Sequence, residues 1–183
     1  NDMHFSGGTN GIVVGKNNAE LFYTTDGINW LTSAQAPLGG FTYTRSDIRG
    51  VYMISSTVGY AVGWGSLIGL QPSIHIKTTN GGATWSFLIQ TEQNRTYENL
   101  YSVYFKDANN GVAVGGGGRG SVAVRTNDGG ANWIPINFPC GATISTITGV
   151  GDNLWVCGSG GLMMRSTDFG NNWDVLTQVP GAT

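Results

Sequence analysis

The chain has 183 residues, with nine Lys and Arg against eleven Asp and Glu, for a formal charge of −2. A near-neutral chain excludes a nucleic-acid binder, which needs a basic surface, and no apolar run approaches the ~18 residues that cross a bilayer. Glycine is abundant at 30 residues, yet aromatics reach 11%, so this is not a disordered glycine-rich tract, which would lack large apolar side chains.

Taken in chain order, the same elements recur four times. An alternating run, predicted as strand a, appears as Met3-His4-Phe5, Gly50 to Ile54, Tyr101 to Phe105 and Ile144 to Ile147. A Gly-flanked apolar run, strand b, follows as Gly11 to Gly15, Gly59 to Gly63, Gly111 to Gly115 and Leu154 to Gly158. Strand c leads into a turn of fixed type, and strand d starts at its Trp. Three copies of the turn have equal spacing: Thr78-Thr79-Asn80-Gly81-Gly82-Ala83-Thr84-Trp85, Thr126 to Trp133, and Ser166 to Trp173. The first, Thr24-Thr25-Asp26-Gly27-Ile28-Asn29-Trp30, is one residue shorter. β-Branched and aromatic residues separated by Gly and Asn are the strand-and-hairpin signature, and nothing has a helical period.

The turn residues have separate physical jobs. Glycine supplies positive φ without steric cost. The Asp or Asn side chain and the Ser or Thr hydroxyl accept hydrogen bonds from nearby amides. Thr24, Asp26, Trp30, Thr78, Asn80, Gly82, Trp85, Thr126, Asp128, Gly130, Trp133, Ser166, Asp168, Gly170 and Trp173 are therefore expected to be structural. Each Trp is expected to close its hairpin by burying a large ring. Lys77, Arg125 and Arg165 share the place just before the Thr or Ser, which also marks them as structural. The strand-b glycines are expected to allow close approach of neighbouring strands or blades.

Four-stranded units of ~40–50 residues with one motif each indicate an all-β fold, a β-propeller of antiparallel blades. The blades are expected near residues 1–40, 41–92, 93–139 and 140–180. The turn resembles the Asp-box of BNR-repeat proteins. The stretch Val103-Tyr104-Phe105-Lys106-Asp107, then Gly111 to Gly115, then Thr126 to Trp133, is similar to the Ycf48-like photosystem II assembly factor group. That resemblance implies more blades than four, so the chain is a fragment of a larger ring, a four-bladed ring, or a unit completed by other copies. The fragment is the favoured expectation, and a start at Asn1 fits a processed or excised piece.

Catalytic patterns are missing from the sequence. The Asp-box resemblance raises sialidase chemistry, but no arginine triad is recognisable. Glycoside hydrolysis needs two carboxylates across a cleft, and nothing pairs Glu20, Glu92, Glu98, Asp47, Asp107, Asp152 or Asp174. His4 and His75 lie in strand-like runs and are expected to be packed or at the surface rather than ligands. The loop at Asp107 hints at calcium, but Gly118 stands where the twelfth-position Glu would be, so an a–b hairpin turn is expected. Gly115 to Ser121 lacks the Lys-Ser/Thr ending of a phosphate loop and is expected to be a b–c hairpin. No catalytic residue, metal or cofactor is expected.

The expected function is a non-catalytic scaffold that binds protein partners or assembles with other chains. A carbohydrate-binding or glycosidase-related propeller is the alternative. The resemblance implies that partners bind the face with the b–c and d–a loops, opposite the Asp-boxes. Candidate contacts there are Trp64 and Gln71 in the apolar loop 64–72, Arg95 and Tyr97 in the loop 90–97, Arg119 at the glycine tip, and Tyr43 in the segment 37–49 that also holds Phe41, Arg45 and Arg49. A surface of Thr, Ser, Asn and Gly favours an extracellular, cell-surface or periplasmic location. Cys140 and Cys157 could bond, but a buried free Cys157 is the expectation.

Overall fold

A computed structural model describes residues 2–15, 20–34, 45–66, 72–88, 99–117, 120–139 and 141–176. They form sixteen strands in four sheets. Blade 1 contains β1 (Asp2–Ser6), β2 (Asn10–Val14), β3 (Leu21–Thr24) and β4 (Leu31–Thr32). Blade 2 contains β5 (Arg45–Met53), β6 (Gly59–Ser66), β7 (Ser73–Thr78) and β8 (Ser86–Phe87). Blade 3 contains β9 (Leu100–Phe105), β10 (Gly111–Gly117), β11 (Gly120–Thr126) and β12 (Ile134–Pro135). Blade 4 contains β13 (Ile144–Val150), β14 (Asn153–Gly158), β15 (Met163–Ser166) and β16 (Asp174–Val175). Every sheet is an antiparallel meander in chain order, as short connections between neighbouring strands favour.

Register makes the repeats superimposable. Gly11 pairs with Thr24, Gly59 with Thr78, Gly111 with Thr126 and Leu154 with Ser166. Because side chains alternate across a strand, Ile12 and Val14 face blade 2, while Val13 faces away from it. Tyr60 and Val62 likewise join the core shared with blade 3, and Val112 and Val114 the core shared with blade 4. Three apolar cores therefore lie between the blades, one per joint.

The strand-b glycines have two distinct reasons. A Cβ on Gly63, Gly115 or Gly158 would sit 2.0, 1.9 or 2.2 Å from a carbonyl oxygen of the preceding segment, at Asp47, Asn99 or Thr143. In each of these blades the a–b register slips next to that point, so the bulging backbone fills the space a side chain would take. Gly11 and Gly111 instead lie under the rings of Phe5 and Phe105, at 2.6 and 2.5 Å from the missing Cβ.

The inner strands succeed one another around an axis, β1 on β5, β5 on β9 and β9 on β13, with no β13–β1 packing of comparable extent. The four blades form an open arc. The inner edge of β5 is covered by side chains of β1, one way a strand edge is protected: the Val51 amide donates to Asp2 Oδ2 at 3.1 Å and the Met53 amide to His4 Nδ1 at 3.1 Å. Half-burial lowers the His4 pKa against the opposing pull of Asp2, keeping the neutral ring that this acceptor role needs.

Candidate functional site

The Asp-box turns have a common geometry. In blade 3 the Thr126 hydroxyl donates to Asp128 Oδ1 at 2.8 Å and accepts from the Gly130 amide at 2.9 Å. Asp128 Oδ1 also accepts from the Asn132 amide at 2.9 Å, and Oδ2 from the Asn132 side chain at 2.8 Å. Blade 4 repeats this with Ser166, Asp168, Gly170 and Asn172. Donation by the Asn172 amide, then its side chain and the Ser166 hydroxyl, holds Asp168 down at a pKa of about 2. Burial resists ionisation of Asp128, but the Asn132 and Thr126 donors outweigh it and its pKa is lowered. In blade 2 Asn80 replaces the Asp, and its Nδ2 donates to the Thr84 hydroxyl at 2.9 Å. A carboxylate is thus matched with an amide donor, and an amide with a hydroxyl acceptor.

These turns join the blades. The Gly129 amide donates to Asn109 O at 2.9 Å and the Phe169 amide to Asp152 O at 2.9 Å, so the a–b turns share the Asp-box end. Asp107 lies in the a–b turn as expected, accepting from the Asn109 and Asn110 amides at 2.8 Å. Lys77 Nζ reaches Gly129 O at 3.5 Å, and Arg125 donates to Asn171 Oδ1 of blade 4. Trp85 and Trp133 are buried as expected, whereas Trp30 is 39% exposed. Trp85 and Trp133 sit in cores shared with the preceding blade, and among the described residues no such blade covers Trp30.

A polar groove of about 500 Å³ follows the axis, lined by Asp2, Arg49, Tyr101, Ser102, Ser145 and Thr146. Arg49 Nη2 lies 3.4 Å from Asp47 Oδ2, with the Asp47 carboxylate fully buried and the Arg49 side chain 31% exposed. The guanidinium carbon stands 5.1 Å from the Tyr101 ring centroid, a cation–π arrangement. Paired charge and ring hold the guanidinium at the groove wall. Sequence reasoning placed Arg49 in the segment 37–49 but not at a site, because only the stacking of β1, β5, β9 and β13 brings these hydroxyls to it.

Of the sequence-predicted contacts, Trp64 falls on β6 rather than in a loop, half-buried and paired with Asp47 and Ser73. Tyr43, Gln71, Arg95, Tyr97 and Arg119 lie outside the described residues, as do Phe41 and Cys140. The strands flanking the glycine tip pair from Gly111–Thr126 to Gly117–Gly120 as a b–c hairpin. His75 is buried against Trp133 at a centroid distance of 4.7 Å, and burial lowers its pKa to about 3. Asp152 accepts from Lys106 Nζ at 2.6 Å. Among the described residues no group of three or more His, Cys, Asp or Glu side chains is placed to hold a metal, and no helix is long and apolar enough to cross a membrane. Cys157 corrects the expectation of burial: it is a free, exposed thiol.

Fold and turns define an Asp-box β-propeller. More narrowly, residues 89–183 match the family described as photosynthesis system II assembly factor YCF48, and the chain belongs to that family. It is 33% identical over 93 residues to the photosystem II assembly lipoprotein Ycf48 of Synechococcus sp. (strain CC9902), covering 47% of this chain and 27% of the relative. Among solved structures, YCF48 bound to D1 peptide is similar with a TM-score of 0.53 and 18% identity, over 96% of this chain and 66% of that one. YCF48 from Cyanidioschyzon merolae gives 0.59 and 17%, over 91% and 55%. The Niastella koreensis GH74 enzyme gives 0.62 and 14%, over 97% and 29%. The chain thus spans less than two thirds of the length of each of these relatives.

Proposed function

We propose that the chain is a non-catalytic scaffold whose axial groove receives a segment of a protein partner. The observation that carries this reading is Arg49, fixed by Asp47 and Tyr101 beside the hydroxyl-lined groove. A guanidinium offers paired donors to a carboxylate or to backbone carbonyls, and Ser and Thr hydroxyls suit an extended backbone. Family membership supports an assembly role, and the relative solved with a D1 peptide supplies the probe. An exported location belongs to the same reading, with the relative named as a lipoprotein in its support.

The test is fluorescence anisotropy with a labelled D1 peptide. Arg49→Ala is expected to weaken binding by about tenfold or more, the ~1.5–3 kcal/mol of a charged hydrogen bond, and Arg49→Lys by less. No binding, or binding indifferent to Arg49→Ala, overturns the reading. The GH74 likeness favours carbohydrate as a second reading. Glycan-array binding that is lost with Arg49→Ala, together with no peptide binding, would replace the first by the second.

A further inference from the structure

The blade 2 turn departs from the other three at two places at once. Asn80 stands where blades 1, 3 and 4 have Asp26, Asp128 and Asp168, and Thr84, just before the Trp, stands where they have Asn29, Asn132 and Asn172. Asn80 is followed by Gly81. An Asn-Gly pair is chemically labile, because asparagine is thermolabile and glycine has no side chain to shield its nitrogen. In the reaction the glycine nitrogen gives up its proton to water and attacks Cγ of the asparagine. The C–N bond to the side-chain amide breaks, ammonia leaves, and a cyclic imide remains. Water then opens the imide at one of its two carbonyls, giving aspartate or its β-linked isomer.

The closed turn ties down each group in this reaction. The Gly81 amide donates to Thr57 O at 2.8 Å, in the a–b turn of the same blade. Gly81 is buried, and a Cβ there would lie 2.8 Å from Ser56 O. The Asn80 side chain, although exposed, is bonded three times. Oδ1 accepts from the Thr78 hydroxyl at 3.1 Å and the Thr84 amide at 2.9 Å, and Nδ2 donates to the Thr84 hydroxyl at 2.9 Å. Blade 1 clamps the next two residues: the Ser33 hydroxyl donates to Gly82 O, and the Ala34 amide to Ala83 O at 3.0 Å. The Gly81 nitrogen loses its proton and reaches Cγ only when the turn opens.

We infer that Asn80 is a modification site, converted to aspartate when the blade 2 turn opens and shielded while it is closed, and that this turn accepts the product. Thr84 supplies the second half. A hydroxyl accepts or donates, so the group that now accepts from Nδ2 can turn its own proton toward a carboxylate oxygen. The Thr78 hydroxyl and the Thr84 amide keep their bonds to Oδ1. In the other turns an Asn side chain donates its NH₂ at that place, which suits aspartate and opposes asparagine. The β-linked isomer is not accepted, because its extra backbone carbon lifts the Gly81 amide off Thr57 O. None of this involves Arg49 or the axial groove, so it stands or falls apart from the proposed function.

The experiment incubates the 183-residue chain in mildly alkaline buffer, folded and in urea. Peptide mass spectrometry reads the amide-to-acid exchange at each Asn-Gly pair, at Asn10, Asn80 and Asn110. Conversion at Asn80 is expected to be at least about a hundredfold slower in the folded chain than in urea, set by the fraction of time the turn is open. Thr84→Ala, at an exposed position, is expected to speed it about fivefold in the folded chain, the loss of one hydrogen bond. The rate at Asn110 stays unchanged, and Thr84→Ser restores the slow rate at Asn80. Asn80→Asp is expected to keep the urea midpoint of the wild type at neutral pH. Conversion at Asn80 as fast in the folded chain as in urea, no conversion in urea, or a rate indifferent to Thr84→Ala overturns the inference. An Asn80→Asp variant with a lowered midpoint also overturns it.

Discussion

Replacing Asp128 by Asn tests the matching of side chains within the Asp-box. Asp128 receives three bonds on two equivalent acceptor oxygens: Oδ1 takes Thr126 and the Asn132 amide, Oδ2 the Asn132 side chain. An Asn has one acceptor oxygen. With Oδ1 kept in place, its NH₂ faces the Asn132 NH₂, and one bond is replaced by two opposed donors. The site is at the surface, so the loss is that of a partly solvated hydrogen bond, about 1 kcal/mol. Adding Asn132→Thr rebuilds the pair that blade 2 already uses, where Asn80 Nδ2 donates to Thr84 Oγ1 at 2.9 Å. The double variant is therefore expected to recover most of that loss in urea unfolding at pH 7. Below the carboxylate range the wild type loses its charged acceptor, so the gap to the single variant closes. A double variant no more stable than the single one, or a gap that persists at low pH, refutes the reasoning.

Gly115→Ala is expected to prevent folding or cost about 3 kcal/mol or more by forced backbone displacement, since its Cβ would lie 1.9 Å from Asn99 O, whereas Gly141→Ala, with nothing within 4 Å, should leave the urea midpoint nearly unchanged. His75→Leu should remove an acid sensitivity. Because burial lowers the His75 pKa to about 3, the unfolded chain binds a proton that the folded chain refuses, and stability falls by up to about 1.4 kcal/mol per pH unit between about pH 6 and 3. The variant loses that slope in pH-dependent unfolding, and Leu21 shows that blade 1 accepts leucine at the equivalent place. The Asp-box carboxylates act over a lower window: Asp168, held at about 2, contributes stability above the ordinary carboxylate pKa that is lost as pH falls through about 2, and Asp168→Asn should flatten the far acid limb. Ser33→Ala should cost about 1 kcal/mol by removing the buried donor to Gly82 O at 2.5 Å, which links blades 1 and 2, as thermal unfolding would record.

The blades were legible because each carries its turn chemistry in a short contiguous string. Thr126 to Trp133 encodes its own hydrogen bonds, and three other copies confirm the period. The glycines of strand b were visible, but the reason for Gly63 and Gly115 was not. It depends on a bulge in the neighbouring strand, and bulges have no fixed sequence mark. Cys157 and Trp30 were misjudged for a related reason. Cys157 lies in a strand-b string like those of buried residues in other blades, and Trp30 ends a turn of the same type one residue shorter, so their exposure depends on which blade stands beside them. Arg49 was named without its partners, since Tyr101 and Thr146 come from blades far along the chain.

The residue before each Asp-box has a consequence for how the chain finds its order. Tyr23, Lys77 and Arg125 occupy one position, and each meets a different surface: Tyr23 packs at Gly82, Lys77 at the Gly129 carbonyl and the Tyr60 ring, Arg125 at Asn171. The turns of blades 2 and 3 have Ala83 and Ala131 where blade 4 has Asn171, so Arg125 finds its amide acceptor only on the correct neighbour. Among blades built on one pattern, the joint between blades 3 and 4 thus carries a mark that the other joints lack, written in a single pair of side chains.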